Sequence, residues 1–329
     1  MRPEEQGGQA SESARTSIGT VGHVVIAGGS GFIGRALAAK FEESGFDVVI
    51  LSRKGKPTEG RVRTVEWNGK DQGAWSSELE NAHAVINLAG ESVAVKWTTD
   101  AIQGIRESRV NATKAIRTAL EATGSRAQWV NASAIGFYGN SGDQECVESS
   151  PAGPAEDILP AISEAWEQSA RETCPKGVRL KIVRIGIVLG HGGGAFPPLL
   201  NLTKAFLGGH PGSGQQWQSW IHLVDLVDMF FWAATKPDAP ELMNGTSPNP
   251  VRMAEFMAEL RRQVGRPWSP PVPAFALQVA GLFGAPDPSL VLTGTKALPK
   301  AALDAGFEFK FPDLASAIAD LLKKSTKKS

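Results

Sequence analysis

Apolar runs of strand length alternate with longer amphipathic stretches up to about residue 190, and a glycine-spaced turn joins the first run to the first amphipathic stretch. These observations predict an α/β fold, a Rossmann-type doubly wound parallel sheet with a small C-terminal substrate lobe. The apolar runs are continuous rather than alternating, which indicates strands buried on both faces by covering helices.

The expected elements follow in order. Strand "HVVIAG" (23–28) leads into a helix from Gly34 to about Ser44, then come strands "DVVILS" (47–52), "RTVEW" (63–67) and "AVINLAG" (84–90). A helix through Asn111 to Ala122 precedes strand "AQWVNAS" (127–133); "AEDILPAISEAWEQSARE" (155–172) reads as an amphipathic helix, and "LKIVRIG" (180–186) as the next strand. Beyond residue 190 the connections turn Gly- and Pro-rich ("GHGGGAFPP", "GGHPGSGQQ", "SPNP", "RPWSPPVP"), as suits a lobe closing over the sheet's carboxyl edge. The expected division is a polar, disordered tail at 1–20, a dinucleotide-binding domain at 21–190 to which 216–247 return, a lobe built from 191–215 and 248–322, and a basic tail at 323–329.

Lys plus Arg and Asp plus Glu both total 34 in 329 residues, so no basic field is available to hold nucleic acid. Cys146 and Cys174 are too few for a disulfide framework, and the five scattered histidines form no zinc motif. No apolar run approaches the roughly 20 residues of a membrane helix. The tail lacks a signal-peptide core, and its Glu4, Glu5 and Glu12 argue against a transit peptide. A cytoplasmic setting is expected, with organelle import left open.

"VVIAGGSGFIGRAL" carries Gly28, Gly31 and Gly34 between the first strand and the first helix. Glycines there let the backbone approach a pyrophosphate, whose charge the helix N-terminus stabilises. At the end of the second strand an acid would hold the ribose 2′-hydroxyl of NAD; the chain instead has Ser52, Arg53 and Lys54. A hydroxyl followed by a guanidinium holds a 2′-phosphate, so NADP(H) is the expected cofactor. The alternatives are solvated loop charges at Arg53 and Lys54, and either a phosphate contact or a surface role for Arg35.

"GGSGFIG" (28–34), "INLAGES" (86–92), "SRVNATKAI" (108–116), "NASAIGFYG" (131–139), "RIGIVLG" (184–190), "WIHLVDLVD" (220–228) and "NGTSPNPVRMAEF" (244–256) follow one another in the order of the extended short-chain dehydrogenase/reductases. The Trp-containing stretches "ESVAVKW" (91–97) and "GSGQQWQSWIH" (212–222), with "PVPAFALQVAGLFG" (271–284) and residues 295–312, resemble the atypical epimerase-like subfamily of the NAD-dependent epimerase/dehydratase superfamily. The resemblance spans residues 23 to about 322. It implies a cofactor site of Gly28, Gly31, Phe32, Ile33, Gly34, Ser52, Arg53, Leu88, Ala89, Gly90, Ser133, Ile185 and Gly186, an unknown small-molecule substrate, and a homodimer.

The resemblance also implies a Tyr-x-x-x-Lys pair on the helix at 155–172, assisted by a serine from the preceding strand end; the tyrosine exchanges the substrate proton, and the lysine lowers its pKa and holds the nicotinamide ribose. Here Ile162 stands at the tyrosine position and Trp166 at the lysine position, and neither transfers a proton. The single tyrosine, Tyr138, lies in "GFYG", and Ser133 matches the family's serine. Two readings stand. In the first, an NADP-dependent oxidoreductase or epimerase-like enzyme uses Tyr138 as a relocated acid and Ser133 to polarise a carbonyl, with Glu91 or Lys96 as auxiliary charges; the alternative for Tyr138 is packing. In the second, a sensor or interaction module holds NADPH without turnover, and Trp97, Trp217 and Trp220 either stack on a flat ligand or plug the interface between lobes.

Four further features stand out, two of them with paired readings. His222 with Asp225 is a general base with its orienter, or a histidine satisfying a helix start. Arg184 pairs with a neighbouring helix, Asn111 bonds at a helix bulge, and the loop 190–195 receives a phosphate or simply flexes.

Overall fold

The computed structural model describes residues 21–55, 60–172, 174–282 and 285–325; the tail expected at 1–20 and residues 326–329 of the tail expected at 323–329 lie outside these, while 323–325 end helix Leu314–Ser325. Strands β1 (His23–Ala27), β2 (Asp47–Ser52), β3 (Val62–Glu66), β4 (Ala84–Asn87) and β5 (Gln128–Ala134) join strands Arg179–Ile185 and Leu242–Gly245 in one seven-stranded sheet. Its order is β3, β2, β1, β4, β5, Arg179–Ile185, Leu242–Gly245, and every neighbouring pair is parallel. The order reverses between β1 and β4. In such sheets the crevice at that reversal, outside the strand carboxyl ends, is where ligands bind.

Burial on both faces is the physical reason the inner strands were legible; β3 at the edge is only half-buried, and strand Leu242–Gly245 was not expected. Val24 and Ile26 of β1 pack with Leu37 and Phe41 of helix α1 (Phe32–Glu43) and with Phe230 of helix Leu223–Thr235. The alternate residues Val25 and Ala27 pack with Ala112, Ile116 and Leu120 of helix α2 (Thr99–Ala122) on the other face. Each fully buried Leu or Phe contributes roughly 1.5–3 kcal/mol.

Helix α2 begins twelve residues before the expected Asn111, because the Thr98 hydroxyl accepts from the Ala101 N–H and caps it. Asn111 therefore lies in unbroken helix rather than at a bulge. Helix α3 (Ile158–Arg171) buries Ile162, Ser163, Trp166, Glu167 and Ala170 on one stripe at helical spacing.

Residues 216–247 divide between layers. Helix Leu223–Thr235 and strand Leu242–Gly245 join the main sheet, while Trp217–Gln218 pairs antiparallel with Val251–Arg252. A separate core of Phe196, Leu200, Trp220, Met253, Phe256 and Ile318 holds the C-terminal elements together. No helix of the described residues is long and apolar enough to cross a membrane.

Candidate cofactor cleft and the buried polar network

The glycine turn lies at the reversal of strand order. Gly28 adopts φ +75°, and a Cβ on it would stand 2.9 Å from the Leu88 carbonyl carbon, so only glycine fits. On Gly34 a Cβ would stand 2.5 Å from the Gly29 Cα, the close approach that seats α1 on the turn. Gly31 is exposed, and a Cβ there would meet only the Gly28 carbonyl oxygen, at 3.2 Å. A bare backbone face at the N-terminus of a twelve-residue helix suits a diphosphate.

This turn walls a cavity of about 300 Å³ that is also lined by Ser30, Leu51, Ser52, Arg53, Trp67 to Lys70, Leu88 to Glu91, Ser108 and Ala112. Seven of the expected cofactor residues are brought together here: Gly28, Gly31, Ser52, Arg53, Leu88, Ala89 and Gly90. The Ser52 hydroxyl donates to the Ser30 hydroxyl at 3.2 Å, and Arg53 and Lys54 are exposed beyond it. Arg35 folds back so that its guanidinium donates to the Ser30 carbonyl at 2.6 Å. The residues present thus fit an NADP-type dinucleotide, since Glu91 is the single carboxylate among the lining residues.

The other expected residues stand elsewhere, for packing reasons. The Phe32 ring fills the space above the hairpin of Ile187–Gly190 and Gly193–Gly194, lying 2.6 to 3.1 Å from where Cβ atoms on those three glycines would be. The glycines at 190, 193 and 194 thus give the ring its space. Ile33 and Ile185 pack against the main core. Gly186 is squeezed between the Ser219 carbonyl, where a Cβ would stand 2.4 Å away, and Thr246.

Ser133 and Tyr138 are held in a buried hydrogen-bond network and do not line this cavity. The Ser133 hydroxyl donates to Glu167 Oε1 at 2.7 Å and is 1% exposed. Glu167 takes a two-pronged ion pair from Arg184, with Nε at 2.7 Å and Nη2 at 2.9 Å. Arg184 Nη1 donates to the Tyr138 hydroxyl at 2.9 Å, and the Arg184 guanidinium lies 3.5 Å from the Phe137 ring centre.

The Tyr138 hydroxyl has one proton to give, and Asn244 Oδ1 at 2.8 Å is the nearer acceptor, ahead of the Val147 carbonyl at 3.0 Å. Asn244 is oriented by its own donation to the Leu298 carbonyl. Burial pushes the phenol up to about 12, outweighing the opposing pull of Arg184. A phenol so placed stays protonated and ties the turn after β5 to strand Leu242–Gly245. The network explains Arg184 as the partner of helix α3.

On α3, Ile162 and Trp166 are both 5% exposed. The Trp166 indole donates to the Thr113 hydroxyl, which also accepts from Asn87, itself bonded to Asn131. Arg109 of α2 lies with its guanidinium 5.1 Å from the Trp166 ring. Neither it nor Glu167 stood out in the sequence, although "SRVNAT" at helical spacing puts Ser108 and Ala112 on one face beside the β4 loop.

Trp220 is buried in the C-terminal core, and its indole donates to the Asn249 carbonyl. Trp97 bonds within its own loop, to the Val93 carbonyl. Trp217 lies against Arg252 at 4.0 Å and Lys296 at 4.7 Å and donates to Asp143. All three are committed to packing or local bonds. Glu91 and Lys96 are exposed on the loop after β4, which the lobe touches where the Asp287 N–H meets the Val95 carbonyl.

His222 Nδ1 accepts from the Val224 N–H at the start of helix Leu223–Thr235. Asp225 does not orient it; its carboxylate accepts the Lys310 and Phe311 backbone N–H groups. The helix-start reading accounts for Nδ1, while Nε2 lies 3.5 Å from Asp320 Oδ2 rather than beside Asp225. Cys146 and Cys174 are both free thiols, and among the described residues no cluster of three or more His, Cys, Asp or Glu could hold a metal.

Residues 24–244 match the NAD dependent epimerase/dehydratase family, and residues 272–321 match a domain of unknown function. The chain is 34% identical over 306 residues to the epimerase family protein SDR39U1 homolog, chloroplastic, of Arabidopsis thaliana, covering 91% of this chain and 86% of that one. It is 36% identical over 303 residues to the epimerase family protein YfhF of Bacillus subtilis, covering 91% and 98%. The crystal structure of human epimerase family protein SDR39U1 (isoform 2) with NADPH superposes with a TM-score of 0.81 at 30% identity, covering 92% of this chain and 99% of that one. With a family match over two thirds of its length and relatives aligned nearly end to end, the chain belongs to the NAD dependent epimerase/dehydratase family.

Proposed function

We propose that the chain binds NADP(H) across the carboxyl ends of β1, β2 and β4 and is an oxidoreductase of the extended short-chain type acting on a small-molecule substrate. The observation that carries this is the cavity walled by the glycine turn and closed at β2 by Ser52 and Arg53 instead of an acid. The human relative whose crystal structure contains NADPH supports the same nucleotide. A bound nicotinamide supplies the hydride chemistry. The chain's part is to hold it: the turn's amides and the α1 N-terminus take the diphosphate, and the Ser52 hydroxyl and Arg53 guanidinium take the 2′-phosphate. The substrate's proton is exchanged with groups other than Tyr138 and Ser133, whose hydroxyls are engaged in the buried network.

That engagement, with Ile162 and Trp166 in place of the proton-transferring pair, also favours a second reading, an NADPH-binding sensor or interaction module without turnover. Single-turnover mixing of the NADPH-loaded protein with a panel of aldehydes and ketones separates the two. Loss of nicotinamide absorbance faster than in free NADPH supports the oxidoreductase; no loss with any carbonyl compound leaves the binding module. The proposed setting is the cytoplasm and the proposed assembly a homodimer, tested by fractionation and sedimentation; the chloroplastic Arabidopsis relative makes organelle import the competing outcome.

A further inference from the structure

Arg109 borders the cleft at Gly90, and the proposed chemistry gives it no part. Its guanidinium lies against the end of β4, where a Cβ on Gly90 would stand 3.0 Å from Arg109 Cζ and 3.2 Å from Nη1. On its other side is the Trp166 ring at 5.1 Å. A guanidinium has five N–H donors; among the described residues, one is used, from Nη1 to the Ile105 carbonyl at 2.9 Å. No carboxylate of the described residues lies within ion-pair distance of it. Holding a cation half out of water without a partner is costly, and burial lowers its pKa to about 10, with the more distant Glu91 opposing. A group kept in that condition is poised for an anion or a cluster of oxygens.

Its location says which oxygens. The cavity beside the glycine turn reaches Ser108 and Ala112, which flank Arg109 on α2. Arg109 projects past Gly90 on the side of α3. A dinucleotide with its adenosine 2′-phosphate at Arg53 and its diphosphate at the glycine turn must carry its other half over the ends of β4 and β5. That half passes over Gly90 and meets Arg109.

We propose that Arg109 binds the nicotinamide-side ribose and its phosphate, with Trp166 serving as the platform that fixes the guanidinium in plane. The inference rests on the NADP(H) reading above.

The test is equilibrium titration of wild type and Arg109→Met with three ligands: NADPH, 2′-phospho-ADP-ribose, which lacks only the nicotinamide ring, and adenosine 2′,5′-bisphosphate, which lacks the whole nicotinamide half. Loss of a charge-assisted contact is expected to weaken the first two by roughly ten- to hundredfold and leave the third within about twofold. Retained bisphosphate binding also reports that the variant is folded. Equal loss for all three ligands, or loss for none, overturns the proposal; loss for NADPH alone overturns the ribose assignment. If Arg109→Met does not fold, the same comparison is made on Arg109→Lys, which keeps a stem and a charge against Trp166 but loses the planar fork. It is expected to weaken the first two ligands by about three- to tenfold and not the third. Wild type that binds none of the ligands refutes the NADP(H) reading itself, a result distinct from failure of the Arg109 assignment.

Discussion

Replacing Tyr138 with Phe removes one oxygen from a site that is 4% exposed and leaves the ring packing in place. Two polar groups then lose their partner. Asn244 Oδ1 loses the proton it accepts at 2.8 Å, and its amide cannot turn away because Nδ2 is held by the Leu298 carbonyl at 2.9 Å. Arg184 Nη1 loses its acceptor at 2.9 Å but keeps the Glu148 carbonyl at 3.3 Å. A buried polar group left unpaired costs about 1–3 kcal/mol, so with one loss full and one partial the variant is destabilised by about 2–4 kcal/mol. At about 2 °C per kcal/mol for a chain of this size, Tm falls by about 4–8 °C. Thermal or urea denaturation, read beside NADPH titration at a temperature where both proteins are folded, gives the answer. The expected outcome is lower stability with nucleotide affinity unchanged. A variant as stable as wild type that had lost turnover on an identified substrate would show the phenol acting as a proton donor and refute this reasoning.

Four more outcomes are expected. Arg53→Ala should weaken NADPH by about 1.5–3 kcal/mol, the worth of a hydrogen bond to a charged group, and leave NADH nearly unchanged; equal losses by calorimetry would remove the role of Arg53 in choosing the cofactor. Gly34→Ala drives a methyl to 2.5 Å from the Gly29 Cα, so it should destabilise by about 1–3 kcal/mol and weaken NADPH as the turn shifts, whereas a neutral result by urea melt would mean that α1 stands off the turn. Glu167→Ala strands the Arg184 guanidinium, whose side chain is 4% exposed, and should cost about 3–5 kcal/mol in denaturant unfolding; a milder loss would mean that water enters the network.

The fourth concerns acid stability. Burial raises the Asp228 carboxyl, but hydrogen bonds and charge from Lys310 at 2.6 Å and Lys40 at 2.8 Å outweigh it and hold the group below the ordinary carboxylate range. Its stabilising contribution is complete above the unfolded-state value of about 3.9 and is lost as pH falls through the lower folded value. Lys310→Met should therefore be less stable than wild type at neutral pH, with the gap closing below about pH 4. A gap in Tm that stayed constant with pH would contradict the pairing.

The inner strands β1, β2, β4 and β5 were legible because they are buried on both faces, and such a run has no polar alternation to obscure it; the half-exposed edge strand β3 lacks that burial, and strand Leu242–Gly245, four residues long, was not expected. The glycine turn was legible because its spacing reflects local backbone limits at Gly28 and Gly34. The start of α2 was missed because residues 99–104 project largely into solvent and lack an apolar stripe; only the Thr98 cap marks the boundary.

The buried network was illegible for a different reason. Hydrogen-bonded partners among Ser133, Tyr138, Glu167, Arg184 and Asn244 lie up to 106 positions apart, and the need of each for the others arises only when the strands lie side by side. Ser133 read as catalytic through the family resemblance, and Tyr138 because it is the single tyrosine of the chain. A serine and a tyrosine near a strand end look alike in sequence whether they face a cleft or the core. The two-residue strands Trp217–Gln218 and Val251–Arg252 that shape the lobe are too short to leave any periodic trace.

The most direct measurement is calorimetric titration of the wild-type protein with NADPH and with NADH in the same buffer. A cleft closed by Ser52 and Arg53 predicts one NADPH per chain, bound at least tenfold more tightly than NADH, with an affinity that falls as salt screens the 2′-phosphate. Equal affinities, or heat from neither nucleotide, would contradict it and leave the glycine turn as part of the fold alone.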